Sequence, residues 1–138
     1  MSEDIWTGGC LCGAVRYEAK GPPDFTGHCY CNECRKASGS GFIPFAGFPA
    51  AAVKITGPVI IHDHPLSDGR ISTRNACAKC GGLVYGGEVG KVDSHTIYAG
   101  SLDDPTRFAP RIAIFMSERA PWAAVPDGLM RFDRMPGG

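Results

Sequence analysis

The chain has 138 residues, 14 basic and 14 acidic side chains, and hydrophobic residues at 43%. A chain of this length is expected to form one domain over residues 1–138, burying roughly two-thirds of its unfolded surface. Zero net charge excludes the basic excess that binding to nucleic acid or an anionic membrane surface requires, and no apolar run reaches the ~20 residues that cross a bilayer.

In chain order, Met1-Ser2-Glu3-Asp4 lacks the basic and apolar regions of a signal peptide, so a soluble, cytoplasmic protein is expected. Cys10-Leu11-Cys12 is followed by a turn glycine, Gly13, and by Ala14–Ala19, where Val15 and Tyr17 alternate with Arg16 and Glu18 as in a strand with one wet face. Cys29-Tyr30-Cys31-Asn32-Glu33-Cys34 leads into a helical turn over Asn32–Ser38, closed by Gly39. Further strands are expected at Phe42–Ala46, Val53–Thr56, Val59–His62, Thr96–Ala99 and Ile112–Met116, being β-branched or aromatic and bounded by Gly, Pro or Asp. Pro44 suggests an edge strand or a bulge. His62 and His64, two residues apart, could share one strand face, with a surface turn before Pro65 and Asp68-Gly69 as the default reading, and His95 reads as a surface position opening a strand. Trp6, Trp122, Phe42, Phe45 and Phe48 read as core or pocket wall. The fold class is mostly β with one short helical turn.

The seven cysteines fall into three tight groups, with Cys77-Ala78-Lys79-Cys80 as the third. An odd count, clustered, in a chain expected to stay reduced, favours metal over disulfides. Cys29, Cys31 and Cys34 lie close enough for one loop to aim them at one ion. The pairs Cys10/Cys12 and Cys77/Cys80 are each followed by glycine, which lets backbone N–H groups face the sulfurs. Two such knuckles make a four-cysteine site and leave a three-cysteine site with an open position, where chemistry can occur. Buried thiols without metal, or an iron–sulfur cluster, are the other readings, although the spacings match neither ferredoxin pattern. His28, beside Cys29, is a candidate fourth ligand, set against the tendency of adjacent strand residues to point apart.

Five motifs carry a family resemblance. They are Gly8–Glu18, Cys29–Cys34 with Arg35–Gly39, Cys77–Gly82, Gly100–Pro105 and Ser117–Trp122. In this order they resemble the glutathione-dependent formaldehyde-activating enzyme family, which also includes centromere protein V, over about residues 8–122. The resemblance implies several coiled antiparallel β-sheets stabilised by zinc. It implies a structural zinc on Cys10, Cys12, Cys77 and Cys80 and a catalytic zinc on Cys29, Cys31 and Cys34. The implied activity is a carbon–sulfur lyase running in reverse, adding glutathione to formaldehyde. Two departures stand out. Arg35-Lys36-Ala37 replaces the Trp-Lys-Pro of members tied to formaldehyde, and Ala113 stands where many relatives have histidine.

Arg35 and Lys36 are candidates to hold the carboxylates of a glutathione-like ligand, since Arg offers a planar fork to a carboxylate. Glu33 is a candidate acid or base, or simply a solvated carboxylate at a helix start. The leading functional expectation is addition of a thiol to a small carbonyl compound. The alternatives are a non-catalytic zinc-stabilised binding module and a hydrolase using zinc-bound water. The deaminase signature that would favour the last is absent.

Overall fold

The computed structural model describes residues 4–66 and 68–137; Met1, Ser2, Glu3, Ser67 and Gly138 lie outside the described residues. Among the described residues it is a mostly β fold of eleven strands and one α-helix. β1 (Ile5–Gly9), β2 (Arg16–Lys20) and β5 (Val53–Thr56) form an antiparallel sheet in the order β1-β2-β5. The second sheet comprises β3 (Phe25–Cys29), β4 (Ile43–Pro49), β6 (Val59–Pro65), β7 (Ile71–Cys77), β8 (Leu83–Gly86), β9 (Ser94–Tyr98), β10 (Ile112–Ile114) and β11 (Met130–Arg131). Its order is β11-β10-β3-β4-β9-β8-β7-β6.

The expectation of coiled, purely antiparallel sheets needs correction. The eight-stranded sheet is open and mixed, because β10 runs parallel to both β3 and β11. β3 and β10 are separated by more than eighty residues of intervening chain, which is ample for the long connection that a parallel pair requires. Gly27 permits the close pairing, since a Cβ there would lie 2.6 Å from Ile112 atoms.

α1 (Asn32–Ser38) has the bounds that the sequence predicts. The Cys31 sulfur accepts the Cys34 N–H at its start, and Gly39 closes it with φ 67°, a left-handed conformation that costs glycine little. Pro44, by contrast, lies in a strand between two others. It is tolerated because the β4–β9 ladder begins only at Phe45, so Pro44 has β3 alone beside it. His62 and His64 lie two apart on the edge strand β6, the shared strand face that their spacing allows in place of the default turn. His95 is buried, with Nδ1 3.1 Å from the Gly86 carbonyl oxygen.

The two sheets share the largest cluster of buried side chains. Trp6, Val15 and Tyr17 from β1, β2 and the turn between them meet Phe48, Val84, Tyr85 and Ile97 of the large sheet, with Cys77 among them. Trp6 meets Phe48 edge-on, at 5.5 Å between ring centroids. Trp122 is not core, being 70% exposed, and instead forms part of the wall of a surface pocket with Arg119 and Arg131. No helix among the described residues is long and apolar enough to cross a membrane.

Candidate metal centres and active site

Strand pairing brings the two cysteine knuckles together. Cys10 and Cys12 follow β1, whereas Cys77 ends β7 and Cys80 lies three residues on. Their four sulfurs all lie within 4.8 Å of one another. The Cys10–Cys12 and Cys12–Cys77 separations are both 3.7 Å. Four thiolates around a tetrahedral zinc at about 2.3 Å would stand about 3.8 Å apart, so this donor set fits the ion. The glycines have the expected effect: Gly13 and Gly81 take φ of 82° and 76°. The Val15 N–H donates to Cys10 Sγ (3.2 Å), and the Lys79 and Cys80 N–H groups donate to Cys77 Sγ (3.3 and 3.4 Å). The Val15 amide, with help from the other sulfurs, lowers the Cys10 thiol to about 6. Cys12 goes the other way, to about 11: the Ala14 amide lowers it, but burial and the three neighbouring sulfurs outweigh that.

The second cluster lies where β3 runs into α1. Cys29, Cys31 and Cys34 bring three sulfurs within 4.8 Å of one another. Strand alternation sends Cys29 and Cys31 to one face, packed with Phe45 and Ile114, and Tyr30 to the other, packed with Ala113 and Ala123. His28 follows Tyr30. Its ring stacks on Phe42 at 4.1 Å between centroids, and it does not join the sulfurs. Ala113, paired with His28 in the ladder, also lies on that far side, so its departure from the family pattern leaves the cysteine face unchanged.

Arg74 of β7 is the polar partner of this cluster, and the sequence reading missed it. It is 7% exposed, and its Nη2 donates to Cys34 Sγ at 3.7 Å. Cys34 is lowered to about 3, first by hydrogen bonds from Cys29 and Cys31 and then by Arg74. Cys29 is driven strongly upward, because its sulfur faces the other two and is buried. A single negative charge thus gathers on Cys34 while its neighbours hold protons, which is how three crowded thiols behave until a cation neutralises them. Burial works against the Arg74 charge, and Cys34 more than restores it.

These sulfurs line a cavity of about 620 Å³. Phe25, Ile43, Phe45, Ile112 and Ile114 supply apolar wall, while Arg74, Tyr98, Thr73 and Thr96 supply polar groups. Phe115 lines it with a left-handed backbone (φ 56°), a costly conformation for an aromatic residue and one that concentrates at functional sites. Just beyond this bend, Glu118 Oε1 accepts the Asn32 N–H at 3.0 Å and so ties the Ser117–Trp122 motif to α1.

Arg35 and Lys36 do not enter this cavity. They line an adjoining groove of about 690 Å³ with His62 and His64 of β6. Glu33 and Arg74 border both spaces. No local motif marks Arg74, because its partner lies forty residues away and is brought near only by the sheet order β3-β4-β9-β8-β7.

A crystal structure of a Rhodobacter sphaeroides protein from a structural-genomics programme is similar in fold, with a TM-score of 0.54 at 14% identity, covering 91% of this chain and 98% of that one. No curated protein matches the sequence. The family described as Glutathione-dependent formaldehyde-activating enzyme matches residues 5–118, close to the span its motifs suggest. That match covers most of the chain, which therefore belongs to the glutathione-dependent formaldehyde-activating enzyme family.

Proposed function

We propose that the chain is a zinc-dependent carbon–sulfur lyase of the S-(hydroxymethyl)glutathione synthase type, adding a thiol to a small carbonyl compound. Family membership supports a thiol-handling, carbon–sulfur role. The observation that carries the finer reading is that three clustered cysteine sulfurs border a cavity of about 620 Å³ instead of being sealed in a core.

Cys29, Cys31 and Cys34 would hold a catalytic zinc with one position open, and Cys10, Cys12, Cys77 and Cys80 a structural zinc. Zinc at an open three-cysteine site supplies a means of keeping a thiol deprotonated near neutral pH, where a free thiol with pKa near ~8.5 is mostly protonated. The chain's own groups do the rest. Arg74 keeps Cys34 oriented and charged. The Phe and Ile wall excludes water from the reacting sulfur. Arg35 and Lys36 receive the carboxylates of glutathione in the groove, while Glu33, bordering both spaces, is placed for its ammonium group. The cavity exceeds what formaldehyde alone needs, so larger carbonyl compounds are within its range. Reduced thiols fit a cytoplasmic setting.

Two other readings are weaker. A non-catalytic zinc-stabilised module has no use for a second cluster that opens on a cavity. A hydrolase with zinc-bound water is disfavoured because three thiolate ligands blunt the Lewis acidity of the ion. The test combines metal content with exchange. Two zinc ions per chain are expected, together with faster exchange between formaldehyde and its glutathione adduct measured by NMR, and a change in the ultraviolet thiolate band when glutathione binds. One tight zinc, no spectral change and no faster exchange would overturn the proposal.

A further inference from the structure

Attack by a thiolate on a carbonyl carbon pushes charge onto oxygen, so the reaction needs a group to receive it. The cavity offers two. Arg74 pairs across the β7–β8 ladder with Gly86, and a Cβ built at Gly86 would lie 3.2 Å from the Tyr98 hydroxyl. Gly86 is thus the gap over which the Tyr98 hydroxyl sits, one cross-strand step from Arg74. The Arg74 Cβ faces that built Gly86 Cβ at about 5 Å, so the Arg74 and Tyr98 side chains approach the same gap from the strands on either side. Both residues line the cavity that the three cysteines border. The Tyr98 side chain makes no hydrogen bond among the described residues, so its O–H is available to a ligand. Arg74 spends one N–H on Cys34 and has four more. Burial, opposed by Arg74 and reinforced by charge on the cysteines, raises the Tyr98 phenol and keeps it a donor at neutral pH.

We infer that Tyr98 and Arg74 form the oxyanion-binding pair of the active site, receiving the carbonyl oxygen of an aldehyde or ketone as the thiolate attacks its carbon. This rests on the reading of the cavity as a thiol–carbonyl addition site. The thiol loses its proton to solvent, the S–C bond forms as the C=O π bond breaks, and the electron pair moves to oxygen. The Tyr98 O–H gives its proton to that oxygen and recovers one from water. The product is a hemithioacetal, with no change in oxidation state.

The test is Tyr98→Phe, which keeps the buried ring and deletes the donor. With the full-length, zinc-replete protein, NMR exchange is followed for glutathione with formaldehyde and with benzaldehyde. The variant is expected to lose about 100-fold in kcat with the KM for glutathione unchanged, as for removal of one oxyanion donor. A second readout needs no turnover. By calorimetry, the wild type should bind S-(2-hydroxyethyl)glutathione more tightly than S-ethylglutathione, and Tyr98→Phe should erase that preference while leaving S-ethylglutathione binding intact. A wild type that accelerates exchange alongside an equally active variant with its preference intact overturns the oxyanion pair alone. A wild type that neither accelerates exchange nor distinguishes the two analogues overturns the addition reaction and the pair together.

Discussion

Arg74 is 7% exposed and has Cys34 Sγ as its charged partner at 3.7 Å. A guanidinium buried against a sulfur fixes where negative charge sits within a cluster of three, and it makes the cysteines unequal. The same inequality separates the two clusters. Cys77 is fully buried and accepts two backbone N–H groups, whereas Cys31 borders a cavity. Cys31→Ser is therefore expected to lower zinc from two ions per chain to one and to leave far-ultraviolet circular dichroism unchanged. Cys77→Ser should lower the melting temperature far more; equal melting of the two variants would contradict the assignment of roles. At this scale the sequence was legible where chemistry depends on local spacing. All seven cysteines fall where their grouping predicts. Arg74 and Tyr98 were not legible, because their relation to the sulfurs is made by strand register and not by proximity along the chain.

Among the elements, α1 was legible to the residue, since a cysteine cap and a left-handed glycine are local signals. The expected strand over Val53–Thr56 also matches β5. β3 escaped notice because its run, Phe25-Thr26-Gly27-His28-Cys29, contains a glycine and little alternation, and its fit comes from lying against Phe45 and Ile112. The parallel pairing of β10 was equally hidden, since pairing sense is a property of connections. The small sheet is linked to the segment after β9 by Asp103, which accepts hydrogen bonds from Arg16 (2.8 Å) and Thr7 (2.9 Å). These bonds, Arg16 first, lower the Asp103 carboxyl to about 2. A carboxylate held below its unfolded value of ~3.9 contributes stability above that pH and loses it as pH falls through the folded value. Asp103→Asn should therefore melt slightly lower than the wild type at neutral pH. An exposed pair is worth only about 0.2–1 kcal/mol. The gap should close between about pH 4 and pH 2, and a gap that persists unchanged at pH 2 would sink the argument.

For the whole molecule, the first cluster joins residues that follow the small sheet's opening strand to residues that end a strand of the large one. Structural zinc in small peptides is worth roughly 10–16 kcal/mol at neutral pH, as much as or more than the net stability of an ordinary domain. Stripping metal with a strong chelator at neutral pH should thus abolish cooperative melting, not merely shift it. A sharp melting transition retained by metal-free protein would show that the shared core holds the sheets by itself.

The sulfurs of Cys12 and Cys77 are 3.7 Å apart in space and 65 residues apart in sequence. Closing a flexible segment of that length costs about 4 kcal/mol in chain entropy. That segment contains β3, α1 and β4, and with them every ligand of the second cluster. On the proposed zinc assignment, the first ion would act as a clasp on a ring that encloses the second site. Metal loading would then be ordered in time, the outer cluster capturing its ion before the inner one acquires a fixed shape. Scarcity of metal during synthesis would yield unclasped chains, and few molecules would be folded yet missing only the outer ion.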